Sequence, residues 1–388
     1  MNKKRVFVGL SGGVDSSVAA ALLSARGGSA FGGKERGFDV CGIHIKMWSD
    51  PDIPCNFKED RYDAMAVAAR LDIPFQTWDF TKEYRRAVVE YMIREYAAGR
   101  TPNPDVMCNR HIKFGLFLKK ALEAGANYIA TGHYVRLHNI VPPSVILSDS
   151  ERSRVDSSAT PQNDGKTRHE LLQAVDGNKD QSYFLWTLTQ EQLAHCLFPI
   201  GEYTKPEVRE LARKFGLSTA EKPDSQGICF IGEIDVREFL KRYIPERQGR
   251  VLTPAGKTVG AHEGATFYTI GQRQGLGIGG GIPYYVADKN LDTNTLVVAE
   301  GPYDAKLFKK ELNATNINWI SGKEPMLPLK CETRIRYRQL LQSCVIERIS
   351  ANDKQIHVRF KEPQRAVTPG QSIVFYQGGE MLGGGIIA

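Results

Sequence analysis

Residues 11–16 read Ser-Gly-Gly-Val-Asp-Ser, directly after the apolar run Val6-Phe7-Val8-Gly9-Leu10 and before the helix-forming residues Ser17 to Leu23. A Gly-rich loop between a buried strand and a helix cradles an anion. Glycines admit close backbone approach, successive N–H groups converge on the ligand's oxygens, and the positive end of the helix dipole lies beneath. The chemistry this predicts is binding of a nucleotide phosphate. A second candidate is residues 101–114, TPNPDVMCNRHIKF, where Pro102 and Pro104 stiffen a loop, Asp105 is placed to cap the next helix and Cys108 falls in its first turn. The dipole favours a thiolate there and Asp105 opposes it, a pairing suited to proton handling as well as nucleophilic attack. By local pattern alone, a buried structural thiol and a plain cap are the stronger reading. The third candidate is Cys229 in KPDSQGICF (222–230), where Pro, Gly and Asp make an accessible turn.

The familiar alternatives for a Gly-rich loop fail on the letters. No Lys follows the glycines as a Walker A loop requires, and the GK[ST] endings at Gly165-Lys166-Thr167 and Gly256-Lys257-Thr258 have Thr160 and Val251 where the first glycine belongs. The GxGxxG dinucleotide fingerprint is missing from Gly9-Leu10-Ser11-Gly12-Gly13. The string SGGxDS instead resembles the pyrophosphate-binding loop of the ATP-pyrophosphatase superfamily, which implies transfer of AMP to a substrate oxygen with release of pyrophosphate.

The elements that must position these groups follow from periodicity. At 388 residues, 41% hydrophobic, the chain is expected to form two or three domains. Short apolar runs (Val6 to Leu10, Val40 to Ile45, Phe75 to Trp78, Tyr128 to Thr131) alternate with helical patterns (Asp15 to Arg26, Asp60 to Leu71, Lys82 to Ala98, Ile112 to Ala124, Pro206 to Phe215). This predicts an α/β fold, a doubly wound parallel sheet, over residues 1–219. Stretches near 27–36 and 142–168 are rich in Gly, Ser, Pro and charge and read as surface insertions. After about Ala220, turn signals separate β-prone runs, at Thr266 to Ile270, Tyr284 to Ala287, Leu296 to Ala299, Ser343 to Ile349, Gln355 to Phe360 and Ser372 to Tyr376. They predict a small β-rich connecting domain (220–286) and a C-terminal antiparallel β-barrel (287–388).

Seven cysteines with no CxxC pair argue against a disulfide framework or a zinc ribbon. No apolar run approaches the roughly 20 residues that cross a bilayer, and the apolar stretch after MNKKR ends at Leu10, so a cytoplasmic protein with no membrane partner is expected. The net charge of +7 is uneven: between Lys330 and Arg365 nine Lys/Arg face four acids. By charge alone, this is either a solvated basic face or a surface for a polyanion.

Seven collinear strings together carry a sharper resemblance: SGGVDS (11–16), NPDVMCN (103–109), TGHYVR (131–136), NKDQSYFL (178–185), DSQGICFIG (224–232), YTIGQRQGLGIGG (268–280) and RIRYRQ (334–339). The chain resembles the bacterial tRNA-specific 2-thiouridylase family from end to end. That implies an ATP-pyrophosphatase (adenylation) domain followed by the connecting domain and a tRNA-binding barrel. The implied reaction adenylates the C2 oxygen of the wobble uridine and replaces it with sulfur from a persulfide, giving 2-thiouridine, AMP and pyrophosphate. Cys229 would carry the persulfide, delivered by a sulfur-relay protein or cysteine desulfurase, and Cys108 would be the nucleophile, with a Cys108–Cys229 disulfide as by-product. Free sulfide and direct persulfide attack both fit.

By the same resemblance Asp105 is the acid/base residue, and Asn103, Pro104 and Asp105 contact the target base. Gly9, Leu10, Ser11, Gly12, Gly13, Val14, Asp15 and Ser16, with Ile45 and Gly132, bind ATP, which brings Mg²⁺ without an assigned protein ligand. Lys179, Asp180, Gln181, Arg336 and Tyr337 touch tRNA, with the Lys, Glu and Gln acceptors as the family expectation. Two departures stand out: His44-Ile45-Lys46-Met47-Trp48 puts Ile45 where the family usually has Met, a change that a backbone contact to adenine survives, and His111 replaces an acidic residue. Another ATP-pyrophosphatase, such as an amide-forming or lysidine-type ligase, would share SGGVDS without needing two cysteines. A non-catalytic RNA-binding module would bind tRNA without ATP turnover.

Overall fold

The computed structural model describes residues 3–24, 37–50, 56–140, 167–224, 236–279, 281–348 and 355–388. Nearly all of the two insertions, and Cys229, lie outside them. Strand β1 (Arg5–Gly9) is covered on both faces: Val6 and Val8 enter one core and Phe7 the other, which is why it reads as a continuous apolar run. It leads into α1 (Val14–Leu23), β2 (Asp39–Lys46), α2 (Phe57–Leu71) and β3 (Phe75–Asp79). Two long helices, α3 (81–97) and α4 (104–123), each interrupted by π-helical turns, precede β4 (Tyr128–Ala130). The chain then runs out through a hairpin, β5 (Val135–Ile140) and β6 (Arg168–Gln173), and returns as β7 (Cys196–Leu197) and helix α5 (Lys205–Lys214).

Strands β1 to β4 and β7 make one parallel sheet in the order β3-β2-β1-β4-β7. The order reverses beside β1, so the crevice between the carboxyl ends of β1 and β4 is the switch point where α/β sheets take ligands. Residues 10–16 leave β1 there and residues 131–134 leave β4 there.

The second sheet contains β8 (Gly249–Leu252), β9 (Thr258–His262), β10 (Tyr284–Asn290) and β11 (Thr295–Glu300), ordered β10-β11-β8-β9. It runs on to Glu300, past the break anticipated after residue 286. The irregularity there is a β-bulge between Val286 and Asp288 inside β10. The strand anticipated at Thr266 to Ile270 is a single 3₁₀ turn, Ala265–Phe267. Gly264 (φ +154°) turns the chain, and Asn294 Oδ1 accepts from the Ala265 N–H in place of a ladder partner.

The last domain is a closed six-stranded antiparallel barrel of β12 (Phe308–Trp319), β13 (Leu329–Arg334), β14 (Gln342–Arg348), β15 (Ile356–Arg365), β16 (Ser372–Gln377) and β17 (Glu380–Ile387), with β17 pairing back onto β12. Hairpin β5–β6 belongs by sequence to the first domain, yet β6 pairs with β17 at Leu172 and Glu380, and Arg168 bonds Glu380 at 2.7 Å. The Gly383-Gly384-Gly385 run makes a second junction. A Cβ on Gly384 would lie 2.6 Å from the Ile373 carbonyl oxygen and 2.8 Å from the ring of Trp186, whose indole N–H bonds Ser372 Oγ at 3.0 Å. Bare backbone is needed for the first domain's buried Trp186 to lie against the barrel. Among the described residues no helix is long and apolar enough to cross a membrane. Gly384→Val is expected to lower the midpoint of thermal unfolding by roughly 5 °C or more through overpacking, measured by calorimetry on the full chain.

Candidate active site

The loop after β1 is built as an anion cradle. Gly12 has φ +82°, and a Cβ there would lie 2.3 Å from the Asp60 carbonyl oxygen, so the turn passes α2 too closely for any other residue. Gly13 is the N-cap of α1 and caps it with no side chain, which leaves the first-turn N–H groups to a ligand. Ser16 Oγ donates to Gly13 O (3.1 Å) and accepts from Ser11 N–H (3.2 Å), which holds the loop's curvature. In the turn after β4, Gly132 packs so tightly on this loop that a Cβ would sit 2.6 Å from Ser16 N. His44 fixes the other side, its Nδ1–H donating to Leu10 O at 2.8 Å. Burial lowers the pKa of His44 and keeps the ring neutral. Ile45, next on β2, is half-buried.

Asp15 adds a carboxylate to this cradle and is answered by a cation from elsewhere. Lys205, the first residue of α5, places Nζ 2.7 and 2.9 Å from the two Asp15 oxygens and 2.7 Å from Asp224 Oδ1. The Tyr134 hydroxyl donates to Asp15 at 2.8 Å; burial and then the Asp15 charge push its pKa far up, so it stays protonated. Asp224 is also held by Lys179 (2.6 Å) and Arg209 (3.1 Å). Burial would raise the Asp224 pKa, but the Lys179 and Lys205 contacts outweigh it and bring it down to about 2.

The second part of the site is α4 and the loop before it. Asn103 is its N-cap, accepting from Val106 N–H at 3.3 Å, with Pro104 at the first helical position. The cap is therefore Asn103 rather than Asp105, and Cys108 falls in the second turn, because Pro104 tolerates only the first turn and starts the helix early. Asp105 is half-buried; burial raises its pKa, and the Lys113 charge opposes the shift. Cys108 and Asn109 are buried. Asn109 Nδ2 donates to Phe184 O at 3.2 Å, and its Oδ1 is buried without a partner. Lys113 also acts on His133, whose pKa burial lowers well below its usual value and whose ring lies 5.6 Å from Phe114. Through Lys113 and His133 the acid of α4 and the Gly132 turn share one end of the sheet. Cys229 lies outside the described residues, and with it the expected Cys108–Cys229 disulfide.

The barrel holds the Asn103 loop. Thr101 N–H donates to Pro369 O (2.9 Å), and Gln371 Nε2 donates to Thr101 O (2.9 Å) and Pro102 O (3.1 Å). The residues expected to touch tRNA are largely struts. The Asp180 side chain is 0% exposed and pairs with Arg334 at 2.8 Å, while accepting from Ala174 N–H, Ser182 N–H and Ser182 Oγ. Lys179 is paired with Asp224, and Gln181 Oε1 accepts from Tyr134 N–H. Arg336 Nη2 donates to Ile270 O (3.3 Å) and Ala366 O (2.8 Å), tying the middle domain to the barrel. Tyr337 packs on Phe184 with ring centroids 4.6 Å apart. Among the described cations of the basic stretch, Lys330, Arg338 and Lys361 stand exposed at the barrel surface alongside Arg348 and Arg359, which are paired with Glu324 and Glu347.

Sequence reasoning missed Lys205, Tyr134, His44 and His133 as parts of the site. His44, His133 and Tyr134 stood inside strings already singled out; Lys205 carried no local signal.

Family models match three successive parts of the chain: a tRNA methyl transferase HUP domain at residues 4–233, a tRNA methyl transferase PRC-barrel domain at 237–300 and an aminomethyltransferase beta-barrel domain at 309–387. The class is thus a tRNA-modifying enzyme with a nucleotide-binding α/β domain, a small connecting β domain and a C-terminal barrel. Full-length relatives decide between methyl and sulfur chemistry. The tRNA-specific 2-thiouridylase MnmA of Yersinia pestis (strain Pestoides F) and that of Yersinia pseudotuberculosis serotype O:1b (strain IP 31758) are each 45% identical over 394 residues, spanning 100% of this chain and 96% of their own. The chain belongs to the tRNA-specific 2-thiouridylase family. Among solved structures, the U34-tRNA thiolase NcsA from Methanococcus maripaludis is 17% identical with a TM-score of 0.34, covering 63% of this chain and 69% of that one, too distant to bear on the site.

Two outcomes are expected from the charges described. Asp180→Ala strands the buried Arg334 guanidinium and should cost about 3 to 5 kcal/mol of stability, read by denaturant unfolding; a fully stable variant with weakened tRNA binding would return Asp180 to the RNA surface. For Asp224 the folded pKa lies below the unfolded value near 3.9, so its stabilisation is complete above that value and is lost as pH falls toward 2. Asp224→Asn should therefore flatten the acid limb of a stability-against-pH curve between about pH 4 and 2.

Proposed function

We propose that this chain 2-thiolates the wobble uridine of tRNA in two steps. ATP, as its Mg²⁺ complex, binds along residues 9–16 with the adenine near Ile45 and Gly132. The uridine C2 oxygen attacks the α-phosphate and pyrophosphate leaves, giving an O2-adenylated base. A persulfide on Cys229, loaded by a sulfur-relay protein or cysteine desulfurase, then supplies the sulfur that displaces AMP. Cys108 takes the persulfide's inner sulfur, so that Cys108 and Cys229 end as a disulfide for a reductant to open. Adenylation through O2 removes the uracil N3 proton, and Asp105, whose pKa burial raises, is the group proposed to handle it. Lys, Glu and Gln tRNAs are the proposed acceptors.

One observation carries the reading. Gly132 packs on the phosphate loop at Ser16, its neighbour His133 lies 5.6 Å from Phe114 of the cysteine-bearing helix, and Phe117 of that helix lies against Gly9, which supports one crevice used by both the loop and the helix. An amide-forming ligase built on the same loop has no use for a buried cysteine on that helix.

Incubation of the protein with these tRNAs, MgATP and a persulfide donor, followed by mass analysis of nucleosides, should yield 2-thiouridine and pyrophosphate in equal amounts. Cys108→Ser and Cys229→Ser should each abolish thiolation, and Asp15→Ala should slow pyrophosphate release. Full thiolation by both cysteine variants, or no 2-thiouridine from the unaltered protein, refutes the mechanism.

A further inference from the structure

Seven cysteines without a CxxC pair argue against a disulfide framework, yet the fold sets two of them face to face in the barrel. Cys331 of β13 and Cys344 of β14 are 13 residues apart on neighbouring antiparallel strands, and the register pairs them directly. Both are free thiols, only 7% and 5% exposed, in the barrel core with Ile346, Val358 and Phe375. Their sulfurs are 3.6 Å apart, within S–H···S reach.

We propose that Cys331 and Cys344 form an oxidative modification site, a dithiol that a hydroperoxide closes to a disulfide across the root of the β13–β14 hairpin. Three features support it. First, directly opposed residues of an antiparallel pair have Cα atoms about 4.5 or 5.5 Å apart, and both spacings fall in the roughly 4.4 to 6.8 Å that a disulfide spans. Closure therefore asks for side-chain rotation and no movement of the strands. Second, a pair this buried is shielded from bulky thiol reagents and from protein partners, while hydrogen peroxide is neutral and close to water in size. Third, the two thiols are not equivalent. The hydrogen bond with Cys331, and then burial, push the Cys344 pKa far above the usual thiol value, so Cys344 keeps its proton and donates it toward Cys331. Cys331 is then the sulfur that reacts first and Cys344 the one that resolves.

The steps balance. Cys331 Sγ attacks one peroxide oxygen, the O–O bond breaks, and water leaves Cys331 as a sulfenic acid. Cys344 Sγ then attacks Cys331 Sγ, the S–O bond breaks and a second water leaves. The sulfurs lose two electrons, the peroxide gains two, and both thiol protons end in water. The bond formed closes the ends of the segment that holds Arg336, bonded to Ile270 O and Ala366 O, and Tyr337, packed on Phe184. Oxidation thus fastens the hairpin through which the barrel meets the other two domains.

Peptide mapping of the full chain, treated with hydrogen peroxide in the folded state and alkylated after denaturation, reads this directly. A peptide pair joined through Cys331 and Cys344 is expected, lighter than the reduced pair by two hydrogens and released by dithiothreitol. The midpoint of thermal unfolding should rise by roughly 3 °C or more on oxidation. In Cys344→Ala the reaction should stop at a sulfenic acid on Cys331, captured by dimedone, whereas Cys331→Ala should leave Cys344 unoxidised. Should either alanine variant fail to fold, the valine variant is measured the same way. Absence of the Cys331–Cys344 linkage from the folded protein, or its formation only after denaturation, overturns the proposal, and a sulfenic acid on Cys344 of Cys331→Ala overturns the order of attack.

Discussion

A carboxylate inside an anion-binding loop is the constraint around which the first domain is arranged. Asp15 helps the start of α1, where the helix dipole favours negative charge, but it also adds a carboxylate to a loop whose free N–H groups attract anions. Removing such a group from water is costly unless it is fully partnered. The partners come from separate parts of the chain: Tyr134 from the turn after β4, Lys205 from the start of α5, and through Lys205 the residues Asp224, Lys179 and Arg209. One cluster thereby fastens the loop after β1 to α5 and to Asp224, which ends the described part of the domain before the stretch that holds Cys229.

The reactive helix depends on a second convergence. The Asn103 cap and Pro104 start α4, while the loop ahead of them is held by backbone and Gln371 bonds from the barrel and by the Tyr183 hydroxyl, which reaches Asn103 and Ser372. Asp180 and Arg334 join the first domain to the barrel, and Arg336 joins the barrel to the middle domain. A loop set by three domains keeps its geometry only when all three are docked. This is the physical reason an enzyme acting on one base of a large RNA gains from a barrel far from its nucleotide loop.

Much of the fold was legible beforehand, because its signals are local. Four of the five strands of the parallel sheet were read to within a residue or two of their bounds, since a strand buried on both faces is an unbroken apolar run, whereas the two-residue β7 was not anticipated. The barrel strands β14, β15 and β16 were legible by alternation. Strands β12, β13 and β17 were not: β12 is rich in Lys and Asn, and β17 carries three consecutive glycines, compositions that local propensity assigns to loops. The bulge in β10 looked like a boundary for a similar reason, and Thr266 to Ile270 is β-prone in composition but makes local bonds instead of a ladder, Phe267 N–H to Gly264 O, Tyr268 N–H to Ala265 O and Thr269 N–H to Gln272 Oε1.

The site divides along the same line. The order of residues alone determined that a Gly-rich loop follows a central strand, that Asp105 and Cys108 lie on one helix, and that the chain resembles an ATP-using, cysteine-dependent tRNA enzyme. Each is a matter of neighbours in sequence, where spacing and backbone chemistry are sufficient. Only the tertiary structure decided which charges meet: that Lys205 pairs with Asp15, that Asn103 takes the cap, that Asp180 is buried against Arg334, and that the half-buried Arg336 bonds carbonyl oxygens of the middle domain and the barrel. An ion pair spanning 190 residues leaves no periodicity to read. Whether a charged side chain faces RNA or its own partner depends on what the fold packs against it.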